Sequence, residues 1–159
     1  MEEFLRLIER NPMLPLEDMA VMLGLTTEET GALFDEATAR GYIRGYGAYV
    51  DWEEAGINRV EAYIELHVSP RKSCGFDEIA KNIAAFSEVD GVLLMSGGYD
   101  LLVQIKGRSF QEIALFVAKR LAPLDDVLST STSFLLRTYK RGGRLYEDQE
   151  TDEREWTVL

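Results

Sequence analysis

Two periodicities divide the chain. From Glu2 to Gly41, apolar residues recur every three or four positions; from Asn58 to Lys140, alternating runs interleave with helical ones. The first stripe, Phe4, Leu5 and Ile8 with Leu7 beside it, stops at Asn11-Pro12, since the residue before a proline avoids helical backbone. A second helix starts near Pro15, buries Leu16, Met19, Ala20 and Leu23, and stops at Gly24, which tolerates a left-handed cap. Thr26 or Thr27 caps a third helix. Thr26 and Glu29 have the spacing of a capping box, and the helix runs to Arg40 before Gly41. A leading helix followed by two more across a short glycine turn is the helix-turn-helix arrangement.

The second region opens with a strand that points Val60, Ala62, Ile64, Leu66 and Val68 one way and Glu61, Tyr63, Glu65 and His67 the other. Pro70 ends it. A helix carrying Phe76, Ile79, Ala80 and Ile83 follows. The apolar run from Val92 to Ser96 turns at Gly97-Gly98 and returns as Leu101 to Ile105, a hairpin. A second helix presents Phe110, Ile113, Ala114, Val117 and Leu121, and a last strand is expected from about Val127 to Tyr139. The order β-α-β-β-α-β is that of a ferredoxin-like domain. The fold class is thus α+β: an N-terminal helix-turn-helix, winged-helix-like module and a C-terminal ferredoxin-like βαββαβ domain. The expected boundaries are 1–51 for the module, 52–58 for a linker, 59–140 for the second domain and 141–159 for a charged tail ending Trp156-Thr157-Val158-Leu159. Helices cover one sheet face, and the other needs a partner; pairing two such faces predicts a homodimer or higher homo-oligomer.

Charge changes the picture for the helical module. The whole chain carries a formal −11, and residues 1–51 hold ten acids against four bases, Arg6, Arg10, Arg40 and Arg44. DNA affinity rests largely on cations that neutralise phosphates, so this balance opposes it. From residues alone, the three helices serve equally well as a DNA reader or as a lid or dimerisation arm. No apolar run approaches the ~18–20 residues that span a bilayer. The acidic start Met1-Glu2-Glu3-Phe4 does not resemble a signal peptide, and cytoplasmic localisation without membrane association is expected. One cysteine, Cys74, and one histidine, His67, cannot build a zinc site that needs about four N or S ligands. No metal or cofactor is therefore expected. Cys74 reads as a small loop residue and His67 as a ring on the open sheet face.

Several strings taken together resemble the leucine-responsive/asparagine-responsive (Lrp/AsnC) regulators over roughly residues 2–140. They are Leu23-Gly24-Leu25-Thr26 entering the third helix, Gly41-Tyr42-Ile43-Arg44-Gly45-Tyr46 leaving it, Ser96-Gly97-Gly98-Tyr99-Asp100 in the hairpin and Thr130-Ser131-Thr132 in the last strand. The resemblance implies a transcription regulator, not an enzyme, of dimeric or higher assembly, with promoter DNA and an amino-acid effector as partners. It places Thr26, Thr27, Thr30 and Arg40 against DNA, with Arg44 on the backbone. The sequence departs from that pattern in the third helix, where Thr30-Gly31-Ala32-Leu33-Phe34-Asp35-Glu36-Ala37 has no base before Arg40. That leaves a second reading, an amino-acid sensor acting through protein partners. A third, the siroheme decarboxylases, resembles both domains, but their His-bearing stretch is missing from Ile64-Glu65-Leu66-His67-Val68-Ser69-Pro70.

The expected effector set is Gly97, Gly98, Tyr99, Asp100, Thr130 and Thr132. Glycine amides suit an effector carboxylate, Asp100 suits an ammonium, and Thr130 and Thr132, two apart on a strand, share a face. The same residues also read as a plain tight turn and an edge strand with solvated hydroxyls.

Overall fold

The computed structural model describes residues 1–70 and 75–146. Arg71, Lys72, Cys74 and the Trp156–Leu159 end lie outside the described residues. The chain forms two compact units, Met1–Ala48 and the stretch from Tyr49 onward.

In the first unit, α1 (Glu2–Arg10), α2 (Leu16–Leu23) and α3 (Thr27–Ala39) close around Phe4, Ile8, Met19 and Ala37. Phe4 and Phe34 meet edge to face, with centroids 6.3 Å apart. The punctuation falls where the residue chemistry requires it. Gly24 takes φ +66° and its N–H reaches back to the Ala20 and Val21 carbonyls; Gly41 takes φ +67°. Both conformations are cheap only for glycine. Thr26 and Glu29 form the reciprocal capping box at the start of α3.

The break between units falls after Ala48, three residues before the expected end at 51. Residues 52–58 are not an open linker. Asp51 accepts from the N–H groups of Glu53 and Glu54 at 3.1 Å each, and the Ala55, Gly56 and Ile57 amides close back on Asp51, Glu53 and Trp52 carbonyls. This turn belongs to the second unit.

That unit contains β1 (Val60–Val68), α4 (Phe76–Ala84), β2 (Val89–Leu94), β3 (Leu101–Gly107), α5 (Phe110–Phe116) and β4 (Val127–Phe134). The sheet is antiparallel in the order β2-β3-β1-β4, with α4 against β2 and α5 against β3. Alternation along β1 places Ala62, Ile64, Leu66 and Val68 in the core beside Leu101, Val103 and Ile105, and Ile79, Ile83, Ile113 and Leu121 cover them. The opposite, helix-free face carries half-buried Tyr63, Glu65, Leu102 and Gln104, with Leu93 and His67 exposed.

Two expectations change. The last strand ends at Phe134, not Tyr139, because its partner β1 begins at Val60; Ala62 pairs with Phe134, and the Leu135 N–H makes the final bond, to the Glu61 carbonyl. The chain then forms a short hairpin, β5 (Lys140–Arg141) and β6 (Arg144–Leu145), through Gly142 and Gly143. On α5, Phe110 and Ala114 are exposed, whereas Phe116 is buried. Val117–Leu121 forms a π-helical turn, and the buried stripe is Ile113, Phe116, Val117 and Leu121.

Candidate functional site

The candidate DNA-contacting residues differ sharply in what their atoms are free to do. Thr30 is fully buried and its hydroxyl donates to the Thr26 carbonyl at 2.9 Å, so it offers nothing to a ligand and leaves the set. The Thr26 hydroxyl donates to the Glu29 carboxylate at 2.9 Å and accepts from the Glu29 N–H at 3.2 Å, so it is committed to the cap. The Thr26 backbone N–H, then its hydroxyl, hold the Glu29 carboxyl below its ordinary range. Arg40 meets the Glu36 carboxylate at 3.0 Å and the Tyr42 hydroxyl at 3.3 Å. The Tyr42 contact first, and then the Glu36 charge, raise the Arg40 guanidinium above its ordinary value. Thr27 and Arg44 are exposed, and the Arg44 guanidinium lies 3.3 Å from where a Cβ on Gly41 would sit. Of the five expected contacts, Thr27 and Arg44 thus keep exposed side chains, and Arg40 shares its guanidinium with Glu36 and Tyr42.

The effector candidates fall into two groups. The turn after β2 is tied to the end of β1: Asp100 donates its N–H to the Leu66 carbonyl at 3.0 Å, and its carboxylate accepts from the Val68 N–H at 2.9 Å. Met95 donates to the Asp100 carbonyl at 2.8 Å, which closes the turn. Gly97 and Gly98 are exposed, Tyr99 and Asp100 half-buried. Asp100 therefore has a backbone-holding role that residue type alone did not reveal. On the far side of β1, Thr130 pairs with Leu66 and Thr132 with Ile64. As expected they share a face, and register makes it the helix-covered one; Ser129, Ser131 and Ser133 point the other way with His67, Glu65 and Tyr63. Two strand spacings, roughly 10 Å, separate the β3 and β4 rows. One chain alone does not bring Gly97 and Gly98 against Thr130 and Thr132.

A third place was not anticipated. Residues 50–61 and 135–146 wall a cavity of about 170 Å³ within the second unit. Glu61 accepts two guanidinium N–H groups of Arg141, at 2.7 and 3.1 Å. This pairing holds Arg141 well above its already high ordinary value. Arg59 lies over the Trp52 ring, 4.8 Å from its centroid. The clue in the sequence was the grouping of arginines with aromatics, but the hairpin that brings residues 137–146 back to 50–61 has no periodic signal. Among the described residues no group of three acidic, Cys or His side chains could hold a metal, and no helix is long and apolar enough to cross a membrane.

Comparison with known proteins follows the same geometry. The Lrp/AsnC ligand binding domain matches residues 61–145. The chain is 39% identical to the uncharacterized HTH-type transcriptional regulator YugG of Bacillus subtilis, over 96% of this chain and 92% of that protein. Among solved structures, the transcriptional regulator NMB0573 of Neisseria meningitidis in complex with L-Met superposes with TM-score 0.69 at 20% identity, over 87% of this chain and 88% of that one. AsnC of E. coli does so with TM-score 0.66 at 17% identity, over 87% and 91%. The two structures share the fold. With the helix-turn-helix unit ahead of a ferredoxin-like sheet and the match running nearly end to end with a curated regulator, the chain belongs to the Lrp/AsnC family of ligand-sensing transcriptional regulators.

Proposed function

We propose that this regulator binds an α-amino acid at the 96–100 turn of a homodimer or higher homo-oligomer in the cytoplasm, and that promoter DNA meets Thr27, Arg40 and Arg44 through few phosphate contacts. The observation that carries the effector reading is the state of the turn. Asp100 anchors it to β1, while the N–H groups of Gly97 and Gly98 stand exposed and, among the described residues, without a protein acceptor. Such amides receive a carboxylate as a helix N-terminus does. The L-Met bound by the Neisseria relative supports the ligand class. Thr130 and Thr132 lie two strands away in their own chain and on its helix-covered face, so they join the site from a neighbouring dimer of a higher assembly and not across the paired helix-free faces. The helix-free face, with Leu93 46% exposed and Leu102 half-buried, is the surface proposed to pair.

Calorimetry against each common amino acid tests the effector; the expected result is heat of binding for at least one, with the component that belongs to the 96–100 turn lost in Asp100→Ala. No heat for any of them overturns it. A mobility shift on the protein's own promoter region at rising salt tests the DNA half. The acidity of residues 1–51 favours one rival, a sensor that acts on a protein partner. Effector binding with no retained DNA at low salt selects that rival. The regulator reading assigns no catalytic step, and a Soret band in the purified protein would overturn it.

A further inference from the structure

We propose that the cavity walled by residues 50–61 and 135–146 is a second small-molecule site, built for a zwitterionic α-amino acid. It lies at the opposite end of β1 from the 96–100 turn: Glu61 stands near the start of the strand and Val68 at its end, about 20 Å away along it. The inference therefore stands apart from the effector site proposed above.

The wall chemistry sorts by what is already spent. Arg141 and Glu61 satisfy each other with two hydrogen bonds. Asp51 accepts from the Glu53 and Glu54 N–H groups and so fixes the turn. Arg59 and Arg137 remain, each laid over an aromatic ring, Trp52 at 4.8 Å and Tyr139 at 5.4 Å. Among the described residues neither meets a carboxylate. A guanidinium braced on a ring loses little freedom when it takes a carboxylate through its two-pronged edge. The Glu53 and Glu54 carboxylates, of which only the backbone is engaged among the described residues, stand on the same wall for an ammonium.

Both signs of charge converge, and acids outnumber bases four to three among the lining side chains. A simple anion gains from the arginines but meets the acids; a simple cation meets the reverse. A molecule carrying both charges a few bonds apart satisfies both. Leu135 and Leu136 offer apolar contact to its side chain. At about 170 Å³ the cavity is below the ~300–1,000 Å³ of sites for drug-sized ligands, which suits a small metabolite. The wall at 50–54 begins within two residues of Ala48, where the helical unit ends, so occupancy bears directly on the segment tethering it.

Trp52 supplies the probe. The chain has two tryptophans, so Trp156→Phe leaves Trp52 as the sole indole in the full-length protein, excited selectively over the seven tyrosines. Each common L-amino acid is titrated while Trp52 fluorescence is followed. The expected result is a saturable change with at least one of them, unchanged in Asp100→Ala and weakened about tenfold or more in Arg59→Met, the loss of one charge-assisted contact. Acetate and methylammonium, each holding half of the zwitterion, should neither reproduce nor compete with it. If circular dichroism shows Arg59→Met misfolded, Arg59→Lys and Arg137→Gln carry the test; both should weaken binding. The proposal is overturned by no saturable change with any amino acid, by a change that Asp100→Ala abolishes, by one that the arginine variants leave intact, or by equal binding of acetate alone.

Discussion

Replacing Glu36 with Gln should make DNA binding more sensitive to salt, and by a calculable amount. Of the four bases in the helical module, Arg6 is paired with Glu2 at 2.8 Å and Arg40 with Glu36 at 3.0 Å. A phosphate approaching Arg40 must compete with a carboxylate already in place. Counting two or three effective phosphate contacts per subunit, the log–log dependence of affinity on salt has a slope of about −2 to −3 per subunit. Glu36→Gln keeps the helix and the side-chain length but releases Arg40 as a whole cation. One further neutralised phosphate steepens the slope by about 0.9 per subunit. Asp35→Lys with Glu36→Lys adds two more cations and should steepen it by about 2.7. Fluorescence anisotropy of a labelled promoter duplex, between roughly 50 and 200 mM salt, measures all three proteins. A native slope matching six to ten contacts, or one that Glu36→Gln leaves unmoved, refutes the reasoning. The recognition surface would then have to include cations outside the module, such as Arg59.

Other expectations test the scaffold. Thr26→Ala should cost about 1 kcal/mol of first-unit stability in urea melts, the usual worth of an N-cap. Because the cap lowers the Glu29 carboxyl, its contribution is complete above the ordinary carboxylate value and fades as pH falls through the lowered one; the Ala variant, which keeps the backbone N–H bond and loses the hydroxyl, should show a smaller acid-side loss. Asp100→Ala leaves the Val68 N–H without its acceptor and should cost about 1–3 kcal/mol, whereas Asp100→Asn, which keeps an accepting oxygen, should recover most of it by thermal denaturation. Ile64→Ala empties a fully enclosed position at the middle of the sheet and should cost about 2–5 kcal/mol in second-unit unfolding; a loss under 1 kcal/mol would mean the core around it collapses freely.

What the chain reveals in one dimension is what repeats or punctuates. Phe4 and Ile8, Met19 and Ala20, and the alternation from Ala62 to Val68 fall on the buried side because their period matches their element. Thr26 with Glu29, and Gly24, mark helix ends by local chemistry. The misses have a common cause: they depend on where a neighbour stops. β4 ends at Phe134 because β1 begins at Val60, and hydroxyls at 135–139 or their absence say nothing about that. Phe110 fits the helical stripe, yet it stays exposed at the start of α5, where its ring meets Phe134 edge to face at 4.9 Å. Thr30 fits a recognition helix by position, but packing hides it. The proposed effector residues form a motif in the sequence, while the strands between them were visible only once register was known. The Arg141–Glu61 contact joins positions 80 residues apart and had no local signal, and Arg59 over Trp52 sits in a stretch without periodicity.

The 140–145 hairpin returns to the beginning of its own unit. Gly142 lies so close to Tyr49 that a Cβ there would overlap the phenol ring, and Arg144 stacks over the same ring at 5.0 Å. The first and nearly the last described residues of the ferredoxin-like unit are thus clasped together. A unit with adjoining ends is a loop in the topological sense: it can be cut elsewhere and rejoined at the clasp without stretching the sheet. A permutant joining Tyr146 to Tyr49 through a short flexible linker, and opened at the exposed Ser87 turn, keeps every strand pairing of the parent. Such a unit is also portable. It can be spliced into a host protein as a single excursion from one surface point, and tension applied across its two ends loads the Tyr49–Gly142 clasp before it reaches the sheet.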